Sequence, residues 1–92
     1  MIVNLLSTLE LLPQECGGEY KFSSAIYMTR GFLNAFQNDA ETIVIQSLEL
    51  IRSTYLNDPL GADYLQVFLC GNIRFWIIDD ISAITCLLPE EY

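Results

Sequence analysis

The sequence predicts an α+β fold in which an antiparallel sheet packs on one long helix. A helical repeat of apolar side chains extends over residues 39–56. Residues 63–70 and 73–79 both resemble strands and are separated by only two residues, a spacing that is typical of a tight hairpin. A further strand-like segment, residues 83–88, follows closely. The C-terminal part of the chain is therefore predicted to be a three-stranded antiparallel meander.

The N-terminal part is predicted to add a short helix and one more strand. Residues 2–12 place their apolar side chains on one helical face and are followed by Pro13, so we expect a short amphipathic helical arm. Residues 20–29 are rich in aromatic and branched side chains and follow a glycine pair, a pattern that is typical of a strand. The predicted sheet then has about four strands.

Length and composition bound the domain organisation. The chain has 92 residues, which is enough for one hydrophobic core but not for two. Hydrophobic residues make up 52% of it, which argues against disorder. We therefore predict a single domain, residues 1–92, that consists of an N-terminal arm, residues 1–18, and an α+β core, residues 19–92.

The hairpin is specific enough to predict a register. With a two-residue turn after Cys70, Cys70 pairs with Ile73 and Val67 with Trp76. Both faces of the hairpin are then largely apolar, and one helix can cover only one of them. The second face must therefore contact the N-terminal helix, another subunit or a partner.

The charge of the chain limits its partners. Four Lys and Arg side chains against twelve Asp and Glu side chains give a net charge of −8. Direct binding to nucleic acid is disfavoured, because that binding draws much of its affinity from Lys and Arg at the phosphates. The same charge favours encounter with a positively charged protein surface, although many acidic proteins owe their charge to solubility alone.

Cysteine and histidine content argue against metal and disulfide chemistry. The three cysteines are widely spaced without a CxxC pair, and the chain has no histidine. A disulfide framework and a zinc site are both disfavoured, so we expect free thiols, no metal, no cofactor and a bacterial cytoplasmic location. The apolar N-terminus lacks Lys and Arg and is interrupted by polar residues, so we expect neither a signal peptide nor a membrane span.

No catalytic residues are predicted. A nucleophile would need a neighbouring base, and without histidine the conventional hydrolytic triads are excluded. Two carboxylate pairs, Asp79-Asp80 and Glu90-Glu91, could act as acid and base or bind magnesium. Turns and chain ends normally carry exposed carboxylates, and we favour that simpler interpretation. The chain is therefore predicted not to be an enzyme.

Four sequence motifs resemble a known family. They are YMTRG at residues 27–31, DYLQVF at 63–68, IDD at 78–80 and TCLLPEEY at 85–92. In this order they resemble a family of small proteins of unknown function from Gram-positive bacteria, their phages and their plasmids. The present chain differs in its tight hairpin after DYLQVF and in residues 1–24, which have no recognised counterpart. The resemblance implies the α+β fold and a mobile-element origin, and it implies no activity.

Two functional hypotheses follow. In the first, the chain is an acidic inhibitor, such as an anti-CRISPR protein, that mimics DNA in the basic nucleic-acid channel of a host nuclease effector. In the second, it is a structural or regulatory interaction protein that dimerises through the uncovered sheet face. The candidate partner-binding residues are acidic or aromatic: Asp58, Asp63, Asp79, Asp80, Glu90, Glu91 and Trp76.

Overall fold

A computed structural model describes residues 8–92. In chain order its elements are β1 (Leu9–Leu11), β2 (Ala25–Met28), α1 (Arg30–Phe36), α2 (Ala40–Tyr55), β3 (Leu65–Cys70), β4 (Ile73–Asp79) and β5 (Ala83–Leu87), with 3-10 turns at Gln37–Asp39 and Pro89–Glu91. The five strands form one sheet in the order β1-β3-β4-β5-β2. All neighbours are antiparallel except β2 and β5, which are parallel. The α+β class and the meander are confirmed, but the sheet is mixed rather than antiparallel.

The β3–β4 hairpin has the predicted register. Cys70 pairs with Ile73 and Val67 with Trp76, with Gly71-Asn72 as the turn. The positive φ that this type of turn requires falls on Gly71, at 62°, where the absence of a Cβ avoids a steric clash. The period-2 alternation of side chains therefore places alternate residues of each strand on opposite faces, as the sequence predicted.

The helical layer contains one predicted helix and one that was missed. α2 lies within the predicted residues 39–56, although the side chain of Asp39 makes no capping hydrogen bond. α1, which directly follows the strand predicted at residues 20–29, was not predicted. The Thr29 hydroxyl caps α1 by accepting the N–H of Phe32, and Phe32 and Phe36 lie one turn apart on the buried side of the helix.

An aromatic cluster joins the helical layer to one face of the sheet. Phe75 of β4 lies 5.2 Å from Phe32 and 5.3 Å from Phe36, and it stacks on Phe68 of β3 at 5.1 Å, all measured between ring centroids. All four rings are at most 2% exposed. This face of the sheet, which we call the inner face, is therefore the only one on which the described helices build the core.

The predicted N-terminal helix is wrong where the structure can test it. Leu9–Leu11 is an edge strand, with Leu9 opposite Cys70, and the N–H of Leu12 donates to the Val67 carbonyl at 2.9 Å. The leucines alternate toward the core, while Glu10 points away. The edge of β3 offers hydrogen-bond partners to the backbone of residues 9–11. The spacing of apolar side chains in the sequence cannot reveal such partners. The rest of that prediction lies outside the described residues.

Residues after β1 are tied to the rest of the fold by hydrogen bonds of Gln14. The Gln14 side chain accepts an N–H from the buried amide of Gln66 and another from the backbone of Asp63, both at 2.9 Å. It also donates to the Gly61 carbonyl at 2.8 Å. This side chain therefore ties the N-terminal segment to the loop that precedes β3.

Candidate protein-binding face

The sheet has a second face without a described helical layer. We call it the outer face and define it by the side chains that alternate with those of the inner face: Glu10, Tyr27, Leu65, Val67, Leu69, Arg74, Trp76, Ile78, Thr85 and Leu87, of which Leu87 is itself buried. Its apolar members on β3 and β4 are half-buried, whereas their inner-face neighbours are buried except for Ile73 at the start of β4. The outer face is therefore a continuous, mostly apolar surface.

Trp76 lies at the middle of the outer face. It is flanked across the strands by Val67 and Leu87. Its indole contacts the ring of Tyr92 edge to face, with centroids 5.5 Å apart. Trp76 is half-buried and Tyr92 is 79% exposed, so the pair presents aromatic surface to solvent. Trp76 is one of the candidate binding residues from the sequence, and the structure places it on the outer face, half-buried.

Charged residues occupy one end of the outer face. Glu10 and Arg74 lie in the same row across the sheet, on either side of Leu69. Both charged side chains are exposed. The outer face therefore carries apolar contact area with a carboxylate and a guanidinium at its border, which is the usual anatomy of a protein interface.

The structure removes Asp79 from the candidate acidic surface. Asp79 is 3% exposed, and its two carboxylate oxygens accept the N–H groups of Phe22 and Ile81, each at 2.8 Å. Both residues have positive φ, at 52° and 81°, a conformation that costs energy for bulky side chains. Arg52 donates to the Phe22 carbonyl from the other side at 2.6 Å. Asp79 therefore holds two strained backbone segments together.

The remaining candidate carboxylates divide between the two ends of the sheet. Asp63 precedes β3 and Asp80 follows β4, so both lie at one end. Glu90 and Glu91 follow β5 at the opposite end. The seven-residue length of β4 separates the ends by about 20 Å. The sequence-predicted acidic residues are not gathered into one patch.

Two of the candidate carboxylates, Asp80 and Asp58, organise their own turns. Asp80 accepts the Ala83 N–H at 2.8 Å and the Ser82 hydroxyl at 2.9 Å, and these hydrogen bonds lower the pKa of Asp80. Asp58 accepts the Leu60 N–H at 2.8 Å in the loop after α2. Both side chains therefore shape loops and still present negative charge near the surface.

Glu91 connects the chain end to the start of α1. Its carboxylate accepts the Thr29 hydroxyl, the Gly31 N–H at 3.0 Å and the Leu88 N–H at 2.9 Å, which together lower the pKa of Glu91. A Cβ on Gly31 would lie 2.5 Å from the Glu91 carboxyl carbon, so only glycine leaves room for this contact. The YMTRG and TCLLPEEY motifs are therefore in contact, because Glu91 of the second motif is hydrogen-bonded to Thr29 and Gly31 of the first.

A cleft beside the C-terminal end of α2 was not anticipated. Its volume is about 350 Å³, and its lining includes Lys21, Arg52, Tyr55 and Asp58. It holds half of the chain's four basic side chains, but Glu19 and Asp58 line it as well. Because the lining is balanced in charge, the cleft indicates no particular ligand. No short motif in the sequence marks it.

The cysteines are not gathered into a reactive site. Cys16 is exposed, whereas Cys70 and Cys86 lie in the core, and burial raises the pKa of Cys86 to about 12. Within residues 8–92, no three His, Cys, Asp or Glu side chains are grouped so that they could hold a metal ion. None of the helices in the described part of the chain is long and apolar enough to cross a membrane.

Comparison of the chain with protein-family models, with curated proteins and with solved structures gives no match. The function must therefore be argued from the geometry of the outer face and from the charge around it.

Proposed function

We propose that this chain is a non-enzymatic binding domain whose contact surface is the outer face of its sheet. One observation carries the proposal: the described helices pack on the inner face, and on the other side the Tyr92 ring lies against Trp76. Contiguous apolar surface of this kind on a monomer normally marks an interaction site. A central aromatic side chain surrounded by aliphatic ones is also the usual composition of a binding hot spot.

Charge supports a positively charged protein as the partner. The net charge is −8, and of the twelve carboxylate side chains nine are exposed, two are half-buried and one is buried. A surface with this field accelerates encounter with basic surfaces and repels acidic ones. The apolar outer face then supplies the short-range contact that charge alone does not.

The specific partner we propose is a nuclease effector of a bacterial defence system, so that the chain acts as an anti-CRISPR inhibitor. The sequence resemblance to proteins of phages and plasmids supports this setting, and the basic nucleic-acid channel of such an enzyme supplies the opposite charge. Because the acidic groups lie at both ends of the sheet, they fit basic residues on either side of an apolar contact. This arrangement differs from a continuous row of phosphate mimics.

Competition with nucleic acid tests this proposal. The purified chain is titrated against a purified Cas9-type effector from a Gram-positive host while binding of labelled target DNA is followed. Trp76→Ala should weaken competition about 30-fold, since hot-spot truncation costs about 2 kcal/mol or more. Ile45→Ala, which changes an exposed apolar residue on α2, should leave competition unchanged. Equal effects of the two variants would contradict the assignment of the outer face.

A homodimer that joins two outer faces is the second candidate, because an apolar surface can be buried against the same surface of a second copy. The two candidates differ in how the strength of association depends on salt. Association with a basic partner weakens as ionic strength rises, whereas two copies that each carry −8 repel one another less and associate more strongly. Sedimentation at low and high salt therefore assigns the occupant of the outer face.

A further inference from the structure

A 3-10 turn connects the start of α1 to the outer face. It follows β5, which lies between β2 and β4 in the sheet. Toward β2, the Glu91 carboxylate of the turn accepts the Gly31 N–H at 3.0 Å and the Thr29 hydroxyl. Toward β4, the ring of the next residue, Tyr92, lies against Trp76 with centroids 5.5 Å apart. One short turn is therefore hydrogen-bonded to the helical layer and leads directly into a ring on the proposed binding surface.

The position of Tyr92 is set mainly by the turn that precedes it. Its side chain is 79% exposed, so packing around the ring contributes little to holding it. The Tyr92 N–H donates to the Pro89 carbonyl at 3.2 Å, and the Glu91 N–H donates to the Leu88 carbonyl at 2.9 Å. These backbone hydrogen bonds fix Tyr92 relative to the turn, because each joins residues three apart in the chain. They do not fix the turn relative to the rest of the fold.

The Glu91 carboxylate supplies that long-range attachment. Its partners Thr29 and Gly31 lie 62 and 60 residues away in the chain. Hydrogen bonds to a carboxylate are roughly twice as strong as those between neutral groups. A Cβ on Gly31 would lie 2.5–2.7 Å from the three carboxyl atoms of Glu91, so the carboxyl group fills the space beside the glycine. The position of the turn therefore depends on where this carboxylate binds.

We infer that Glu91 is a positioning residue for the outer face: its hydrogen bonds hold the turn so that Tyr92 stays against Trp76. Tyr92 then supplies a second aromatic side chain at the place where the partner binds. Tyrosine and tryptophan are among the side chains most enriched at binding hot spots. A ring that is fixed before binding loses less conformational freedom when the partner docks. This contribution to affinity rests on the proposed function, whereas the positioning of Tyr92 does not.

Tryptophan fluorescence tests the positioning directly, because Trp76 is the only tryptophan in the chain. Tyr92→Ala uncovers the indole, so it should shift the emission to longer wavelength and increase quenching by acrylamide. Glu91→Ala removes the carboxylate, and Gly31→Ala displaces it without changing any charge. Both should change the fluorescence in the same direction while circular dichroism shows that they are folded. Glu90→Ala, which removes the neighbouring exposed carboxylate of the same turn, should leave the fluorescence unchanged.

Unchanged emission and quenching in Glu91→Ala or in a folded Gly31→Ala would overturn the inference. The same conclusion would follow if Glu90→Ala changed the fluorescence as much as Glu91→Ala, because the effect would then not depend on the hydrogen bonds to Thr29 and Gly31. If Gly31→Ala does not fold, Glu91→Ala decides the question alone.

Competition between the chain and labelled target DNA for the Cas9-type effector tests the contribution to binding. Gly31→Ala and Tyr92→Ala should each weaken competition about 5-fold, which is about 1 kcal/mol and is the scale for ordering one side chain. If Trp76→Ala weakens competition and these two variants do not, the proposed function stands and the contribution of Tyr92 is refuted. If Trp76→Ala also competes normally, the proposed function fails, and the fluorescence decides the positioning role of Glu91.

Discussion

Replacing Asp79 with Asn should destabilise the domain strongly, although the sequence placed this residue among exposed carboxylates. Its two oxygens accept the buried backbone N–H group of Phe22 and the partly buried one of Ile81. An asparagine keeps one acceptor oxygen and turns an NH₂ group toward the other N–H. One of the two backbone donors is then left without an acceptor, and the remaining bond loses its charge assistance.

The magnitude follows from these two hydrogen bonds. A hydrogen bond to a charged group contributes about 1.5–3 kcal/mol, and a buried donor left unpaired costs a similar amount. Asp79→Asn should therefore lower the free energy of unfolding by roughly 2–4 kcal/mol. For a domain of this size, that corresponds to a fall in melting temperature of roughly 10–25 °C. Total stabilities of about 5–15 kcal/mol leave the variant folded at room temperature.

Urea unfolding followed by circular dichroism measures the difference. Asp80→Asn is the matched control, because this neighbouring carboxylate is exposed and bonds only within its own turn. Its loss of stability should be clearly smaller than that of Asp79→Asn. If the two variants unfold at the same urea concentration, Asp79 does not hold the Phe22 and Ile81 segments together.

Three further predictions concern the chain end, the thiols and the strained turn. The pKa of Glu91 is lowered by its hydrogen bonds, so its contribution to stability is present above the unfolded pKa and is lost as pH falls through the folded pKa. Glu91→Gln should therefore be less stable than the unmodified chain at pH 7 in thermal unfolding, with a difference that shrinks in acid; a constant difference would contradict this. Cys16 should react with a disulfide reagent in the folded protein, whereas Cys86, with its pKa raised to about 12 by burial, should react only on unfolding. Equal rates would show that the core is open. Ile81→Gly should raise the unfolding free energy by about 0.5–1 kcal/mol, because Ile81 is 76% exposed with φ at 81°, and glycine relieves that strain; a loss of stability in urea would refute the strain.

The elements that depend on local pattern were predictable. The two-residue turn at Gly71-Asn72 fixed the hairpin register, and the apolar period located α2 within one residue at each end. Alternation in β3 and β4 also revealed that both faces are apolar. Each of these features is written in neighbouring residues, so a sequence pattern is sufficient to predict it.

The features that depend on distant contacts were missed. Leu9–Leu11 became a strand because the free edge of β3 offered it partners, and β2 was assigned to an antiparallel sheet although it runs parallel to β5. The burial of Asp79 depends on Phe22, which is 57 residues away in the chain. Among the candidate site residues, Trp76 lies on the face that strand alternation predicts for it, opposite Val67.

Site-specific photocrosslinking tests most directly whether the outer face is the binding surface. A benzophenone side chain is introduced at Leu69 on the outer face or, as a control, at Ile45 on the exposed side of α2, and the protein is irradiated with the Cas9-type effector. We predict a crosslink to the effector from position 69 and none from position 45, and loss of the crosslink when Trp76→Ala is added. A crosslink from position 45 without one from position 69 would contradict the assignment of binding to the outer face.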